Sequence, residues 1–339
     1  MSEIERRRED IRVAVVGLGV MGTQHVQSYR AINSEGIANR LVAICDPSAE
    51  RREAELFGPG RVATYELPAD LFADESVDLV SLCTYTDSHV PLAISALEAG
   101  KHVLVEKPVA LSGAGVSVLA EAAQRFPEQL CMPAMCMRFW PGWRWLRDRV
   151  NDRSLGAVRS AHFHRVAPAP DWARDFYADA SRSGGALVDL HVHDSDFVRW
   201  CFGSPEAVHT VRDGAGFTTR YIYPDDSLKV TAHGAWDPAP GAVFEMGFRV
   251  VFDAGTADYS FGRDPKLQLE MDGLAEPVPI ARETGYEGEV RHLLRALHAR
   301  ADQPDVETKL DARVEQAIDL MAMVAAERDS LESGKRIAL

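Results

Sequence analysis

The chain lacks most of what would place it in a membrane, in a secretory route or on nucleic acid. No apolar run reaches the roughly 20 residues of a membrane-spanning helix. The opening stretch Met1–Asp10 is of mixed charge and has no apolar core of the kind a signal peptide carries. Only five cysteines occur, none in a C-x-x-C pair, which fits reduced thiols and a cytoplasmic location. Positive charge is short: 37 Lys and Arg stand against 51 Asp and Glu, a net charge of −14. That balance argues against partners with a phosphate backbone or an anionic lipid surface, and leaves open a small anion held locally. Internal repeats and low-complexity stretches are also missing. What remains is 339 residues with 46% hydrophobic content, ordinary for a globular chain and long enough for two domains.

What is present begins with an apolar strand, Ile11–Val16, running into Gly17-Leu18-Gly19-Val20-Met21-Gly22. In this G-x-G-x-x-G, Gly17 permits a tight turn, Gly19 allows a pyrophosphate close to the backbone, and Gly22 lets the next helix pack on the strand. The helix start offers N–H groups and a positive dipole end to phosphates. A second strand, Leu41–Cys45, ends on Asp46, placed to accept hydrogen bonds from ribose hydroxyls and to repel a 2′-phosphate. Arg51 and Arg52 lie close enough in sequence to soften that repulsion. A glycine turn and a solvated acid that bind nothing are the alternative; strand, turn, helix, strand and acid in this order favour the dinucleotide.

Strand and helix patterns alternate over the first third, with strands near 62–64, 77–84, 102–105 and 130–135 and helices near 49–57, 90–99 and 119–126. Such alternation implies right-handed crossovers, a parallel sheet, and ligands beyond the carboxyl ends of its strands. Past about residue 140 longer strands appear, at 158–166, 229–236, 243–252 and 257–261, and two helices close the chain at 286–300 and 311–330. The expected organisation is an α/β Rossmann domain over 1–130, then an α+β domain over 131–339 with a largely antiparallel sheet.

Two clusters carry chemistry. Glu106-Lys107-Pro108 follows the 102–105 strand at the ligand edge, where Pro108 biases Lys107 toward an extended backbone; a solvated strand-end lysine is the plainer reading. The second is Gly184-Gly185 followed by Asp189, His191, His193, Asp194 and Asp196. On a helical wheel Leu187, Leu190, Phe197, Val198 and Cys201 form an apolar stripe, with Asp189, His193, Asp196 and Trp200 in a sector about 60° wide. Asp189 and His193 are then i, i+4 neighbours, and a carboxylate beside an imidazole fixes its tautomer and stabilises its cation. Surface residues of an amphipathic helix are the competing explanation. Asp194 falls in the apolar stripe and needs a partner. Read instead as a strand, Asp189, His191 and His193 share a face, and D-x-H-x-H resembles the metal-binding strand of amidohydrolase-type hydrolases. The helical reading separates the two histidines, and no metal is expected.

Together these motifs resemble the Gfo/Idh/MocA oxidoreductases, over nearly the whole chain: the glycine turn, Glu106-Lys107-Pro108, Arg138-Phe139-Trp140-Pro141, Gly184-Gly185 with Asp189 and His193, and Gly334-Lys335. The 193–200 stretch looks most like the inositol dehydrogenase branch. The resemblance implies a Rossmann domain with an open-sheet second domain, a nicotinamide cofactor, which Asp46 makes NAD rather than NADP, and transfer of a hydride between nicotinamide and a hydroxyl-bearing carbon of a cyclitol or sugar. It implies His193 as acid/base, Lys107 on the reacting oxygen and Asp189 orienting substrate or imidazole. The cofactor contacts it implies are Gly17, Gly19, Val20, Met21, Gly22, Asp46, Thr84, Tyr85, His89, Glu106, Lys107 and Pro108. It implies a homodimer or homotetramer joined through the open sheets. Relatives that cleave glycosides with retained NAD, or that bind dinucleotide only as sensors, are the other readings. Two departures stand out. Tyr85 follows Thr84 where the family usually has proline, and His191 occupies a position that is usually small. For the substrate, Trp172 and Tyr177 are expected to stack on a sugar ring, with Arg174 and Arg138 reading polar groups; a surface loop with one anchoring aromatic is the alternative.

Overall fold

The computed structural model describes residues 10–57, 62–171, 173–303 and 309–339. Contacts divide the chain into two compact units. The first takes Met1–Ala110, Ala114–Ala134 and Gly285–Ala317; the second takes Leu111–Gly113, Met135–Thr284 and Ile318–Leu339. The chain thus returns to its first unit late, with residues that sequence reading assigned to 131–339. The returning helix Gly285–Asp302 packs on the first helix, Val20–Ser34. Arg291 grips Glu35 through Nη2 at 2.7 and 2.9 Å, and His298 Nε2 donates to the Ala38 carbonyl at 2.8 Å.

Among the described residues the first unit holds six parallel strands: β1 Ile11–Val16, β2 Asn39–Cys45, β3 Ala63–Tyr65, β4 Leu79–Leu82, β5 His102–Val105 and β6 Cys131–Pro133, in the order β3-β2-β1-β4-β5-β6. Their near-continuous apolar runs are what a sheet covered on both faces requires. Val13–Val16, Leu79, Val80, Leu82 and Val103–Val105 are at most 2% exposed. Strand order reverses between β1 and β4, so a crevice opens beyond their carboxyl ends. The polar residues singled out from sequence follow those ends: Gly17 after β1, Asp46 after β2, Thr84 after β4 and Glu106 after β5.

The second unit holds nine strands: β7 Val158–Pro168, β8 Ala207–Asp213, β9 Gly216–Ile222, β10 Lys229–Asp237, β11 Glu245–Phe252, β12 Thr256–Ser260, β13 Leu267–Met271, β14 Leu274–Pro277 and β15 Ile337–Ala338. Their order is β14-β13-β12-β11-β7-β10-β9-β8-β15. Only β7 and β10 pair in parallel; the other neighbours are antiparallel, as expected for an open sheet in an α+β unit. Period-two alternation buries Ala161, Phe163 and Arg165 and leaves His162 on the other face. On the buried side Phe163 meets Phe197 of the helix Val192–Phe202 with ring centres 5.6 Å apart, and Trp143 meets Phe248 edge-on at 5.2 Å. Among the described residues no helix is long and apolar enough to cross a membrane.

Candidate active site

In the first unit the three glycines of the turn have different surroundings. Gly17 has φ +88°, and a Cβ there would lie 2.5 Å from the Cys83 carbonyl oxygen. A Cβ on Gly22 would lie 1.9 Å from the Gly17 carbonyl oxygen. At Gly19 it would meet nothing within 4 Å. Two glycines are therefore demanded by the fold, while Gly19 keeps an open surface bare. Val20 opens the helix behind it; Gly19 offers no side-chain cap, and no acid lies in the first turn. Those backbone N–H groups and the dipole end suit a pyrophosphate. Val20 is exposed and Met21 half-buried.

Asp46 stands beside this turn. Its Oδ2 accepts from the Leu18 N–H and its Oδ1 from the Ser48 N–H, both at 2.8 Å. It thereby braces the turn as well as ending β2. Of the two neighbouring arginines, Arg52 is spent on the Asp46 carbonyl, and Arg51 reaches the carboxylate only at 3.5 Å. A bare Gly19, an uncapped helix start and a carboxylate at the end of β2 fit NAD.

His89 corrects an expectation. Sequence reading placed it on the cofactor; it is 1% exposed, with Nδ1 2.9 Å from the Pro108 carbonyl and Nε2 3.1 Å from the Thr84 carbonyl. Burial pushes its pKa below the ordinary value against the pull of both carbonyls and of Glu106. The ring lies between the turn after β4 and the turn after β5, and in its neutral form it donates to one of these two carbonyls. Thr84 Oγ1 accepts from Ser88 at 2.7 Å, and Tyr85, 46% exposed, caps the helix Thr86–Glu98. Lys107 is half-buried, and its peptide bond to Pro108 is cis.

In the second unit the 184–200 segment is two helices, Gly185–Asp189 and Val192–Phe202, entered through positive φ at Gly184 and Gly185. Both the Leu190 and His191 N–H groups bond to the Ala186 carbonyl at 3.0 Å, so the unbroken wheel assumed from sequence is interrupted there. The D-x-H-x-H strand is overturned outright. The apolar stripe survives: Leu187, Leu190, Phe197, Val198 and Cys201 are all buried. Asp194 has its partner in Arg165, at 2.9 and 3.2 Å.

Asp189 and His193 are both half-buried. His193 Nδ1 lies 3.9 Å from the sulfur of Cys136, a residue sequence reading passed over although it sits two places before Arg138. Arg138 is corrected. It is 2% exposed, and its fork is committed to Asp196 through Nε at 2.8 Å and Nη2 at 2.6 Å, so it locks the helix Val192–Phe202 instead of facing substrate. Arg174 is exposed, and Tyr177 stands edge-on to Trp236 at 5.9 Å. Trp172 lies outside the described residues.

His191, where the family resemblance has a small residue, is part of a buried polar cluster. It is fully buried against Phe217, its ring edge-on at 5.0 Å, with Nε2 3.3 Å from the Tyr221 hydroxyl. Ser195 Oγ stands 3.2 Å from the same hydroxyl and donates to Glu327 at 3.0 and 3.1 Å. Burial drives the His191 pKa down to about 4 and that of Glu327 up to about 8. Both groups are therefore largely neutral at pH 7. Glu327 binds its proton more tightly folded than unfolded, so its contribution is full at low pH and is lost as pH rises from the ordinary carboxyl range toward 8. Each pH unit in that window costs at most about 1.4 kcal/mol. Melting temperature should fall more steeply between about pH 5 and pH 8 in the wild type than in Glu327→Gln. Equal slopes in thermal melts of the two would contradict this.

Two models of one family match the chain: an oxidoreductase family with an NAD-binding Rossmann fold over residues 11–133, and the GFO/IDH/MocA C-terminal domain over 143–258. The chain is 29% identical over 208 residues to a myo-inositol 2-dehydrogenase of Thermotoga maritima, covering 60% of this chain and 58% of that relative. It is 26% identical over 353 residues to D-glucoside 3-dehydrogenase of Escherichia coli, covering 97% of each. Among solved structures, levoglucosan dehydrogenase in complex with NADH and levoglucosan is similar in fold, with TM-score 0.81, 18% identity, and 97% of this chain and 99% of that one covered. With the glycine turn, Asp46, Glu106-Lys107-Pro108 and His193 placed as described, the chain belongs to the Gfo/Idh/MocA oxidoreductases, and its residues 11–133 match their NAD-binding Rossmann fold.

Proposed function

We propose that this protein is an NAD-dependent dehydrogenase of a neutral ring polyol, a cyclitol or pyranose, working in the cytoplasm as a homodimer or homotetramer. The observation that carries this reading is that a chain similar along its length to a D-glucoside dehydrogenase keeps a complete dinucleotide edge together with Lys107, Asp189 and His193. A protein that only senses dinucleotide has no use for a positioned base.

Oxidation of a secondary alcohol takes a hydride from carbon and a proton from oxygen, and bound NAD supplies the hydride acceptor. His193 takes the proton, a role that suits imidazole because the side chain ordinarily titrates near neutral pH. The Lys107 ammonium donates to the same oxygen and stabilises the charge that develops on it. Asp189 orients the substrate or the imidazole. Tyr177 offers an aromatic face to the sugar ring, and Arg174 reads its hydroxyls.

Asp46 sets the cofactor preference, since its carboxylate would lie against a 2′-phosphate. NAD should bind more tightly than NADP, and Asp46→Ser should narrow the gap. Dissociation constants for both cofactors check this; tighter NADP binding in the wild type would contradict it. The substrate class is tested by kcat/KM across inositol isomers, aldoses, their deoxy analogues, sugar acids and sugar phosphates. Activity should fall steeply for deoxy analogues, because polar groups matched to a hydroxyl are left unpaired. A preference for phosphorylated or carboxylated sugars would overturn the neutral-polyol assignment.

A further inference from the structure

Three ionisable residues meet inside the first unit, and the proposed chemistry uses none of them directly. His25 lies on the first helix three residues after Gly22, Glu106 ends β5, and Glu289 comes from the returning helix Gly285–Asp302. They are 0%, 5% and 0% exposed. His25 Nε2 lies 2.9 Å from Glu106 Oε1, and Glu106 Oε2 accepts the Lys107 backbone N–H at 3.0 Å. Glu289 Oε1 is 3.9 Å from His25 Nε2. His25 Nδ1 and both Glu289 oxygens have no hydrogen-bond partner among the described residues.

We propose that His25 and Glu106 are positioning residues for Lys107, a relay that anchors the lysine's backbone to the helix opened by the glycine turn. This rests on Lys107 having the role given above. The Glu106 carboxylate is bifunctional: one oxygen is held from the first helix, the other holds the residue that must reach the substrate oxygen. With Nε2 as donor to Glu106, Nδ1 presents a lone pair, which needs no acceptor there.

The charges agree with this arrangement. Burial pushes Glu106 up, but the hydrogen bond from His25 and the nearby Lys107 charge help hold the carboxyl below its ordinary value. Burial and the neighbouring Glu106 charge push Glu289 well above its ordinary value. One carboxylate of the two is ionised, and it is the one bonded to Lys107. The three ligand atoms lie within 4.8 Å of one another, a spacing a cation could bridge. In the relay, protons on His25 Nε2 and Lys107 N occupy the Glu106 oxygens instead.

The test begins without substrate. Selective ¹⁵N-lysine labelling reduces the amide spectrum to the chain's six lysines. The Lys107 amide should be shifted downfield and protected from hydrogen exchange in the wild type. In His25→Leu, or in His25→Phe should the leucine variant not fold, exchange at that amide should speed up about tenfold or more. His25→Gln, which keeps a donor near Nε2, should restore protection. NADH formation from myo-inositol supplies the second arm. His25→Leu should lower kcat about ten- to a hundredfold, as misplacement of a reacting group does, with the NAD dissociation constant little changed. In a Lys107→Ala background the same substitution should have almost no further effect.

A wild-type Lys107 amide that exchanges freely, or one that stays protected in folded His25→Leu, overturns the relay. So does an equal loss of kcat in both backgrounds, or stoichiometric zinc or manganese in the purified protein that is lost on Glu289→Gln. If Lys107→Ala keeps wild-type turnover, the role given to Lys107 fails while the amide arm still decides the relay.

Discussion

His193→Ala lowers kcat by about 10²–10⁴-fold, the range typical of a lost general acid/base, and leaves the dissociation constant for NAD within a few-fold of wild type. The split follows from where the residue sits. His193 belongs to the helix Val192–Phe202 of the second unit, whereas the glycine turn and Asp46 lie in the first. The substitution is also mild structurally. The helix is held by the buried Arg138–Asp196 and Arg165–Asp194 pairs and by Phe197 in the aromatic core, and none of these involves the imidazole. Steady-state kinetics with the preferred polyol, paired with NAD titration, checks the prediction. A variant with near-normal kcat would mean that the proton goes elsewhere.

The glycine turn supports a paired prediction with opposite outcomes. A methyl on Gly22 must push a backbone carbonyl away from 1.9 Å, so Gly22→Ala should lower the melting temperature and weaken NAD binding together. Overpacking of rigid backbone typically costs about 1–3 kcal/mol, occasionally more. A methyl on Gly19 meets nothing, so Gly19→Ala should melt like wild type yet bind NAD at least about tenfold more weakly, since the second glycine is the one that lets a pyrophosphate approach. Calorimetric titration and thermal melts of both variants separate the two roles. Normal NAD affinity in Gly19→Ala would show that the pyrophosphate does not lie there.

What could be read from sequence was what short-range pattern encodes. The alternation of apolar runs and helices gave the parallel sheet, and β1–turn–helix with Asp46 gave the dinucleotide edge, because each signal lies within a few residues of chain. The hairpin β8–β9 escaped notice: Ala207–Asp213 and Gly216–Ile222 mix threonine, arginine and histidine into a strand pattern too weak to stand out. Pairings across long separations were beyond reach. Sequence alone offers Arg138 as a substrate ligand, whereas its fork holds Asp196, 58 positions away. His191 stands out in sequence as a histidine where the family resemblance has a small residue; its ring packs against Phe217 and reaches Tyr221, 30 positions away. The late return of Gly285–Asp302 to the first unit, which brings Glu289 to His25 and Glu106, leaves no local mark in sequence at all.

The claim that matters most is net hydride transfer from a ring carbon at the expense of NAD. Mixing the purified protein with NAD and each polyol of the panel, and measuring both NADH and the ring product, tests it directly. One NADH should form for each ring oxidised to a ketone, accumulating over many turnovers, and about 10²–10⁴-fold more slowly in His193→Ala. NAD binding without NADH from any polyol would instead mark a sensor, and cleavage of glycosides without net NADH would mark a hydrolase that recycles its cofactor; either result would contradict the dehydrogenase.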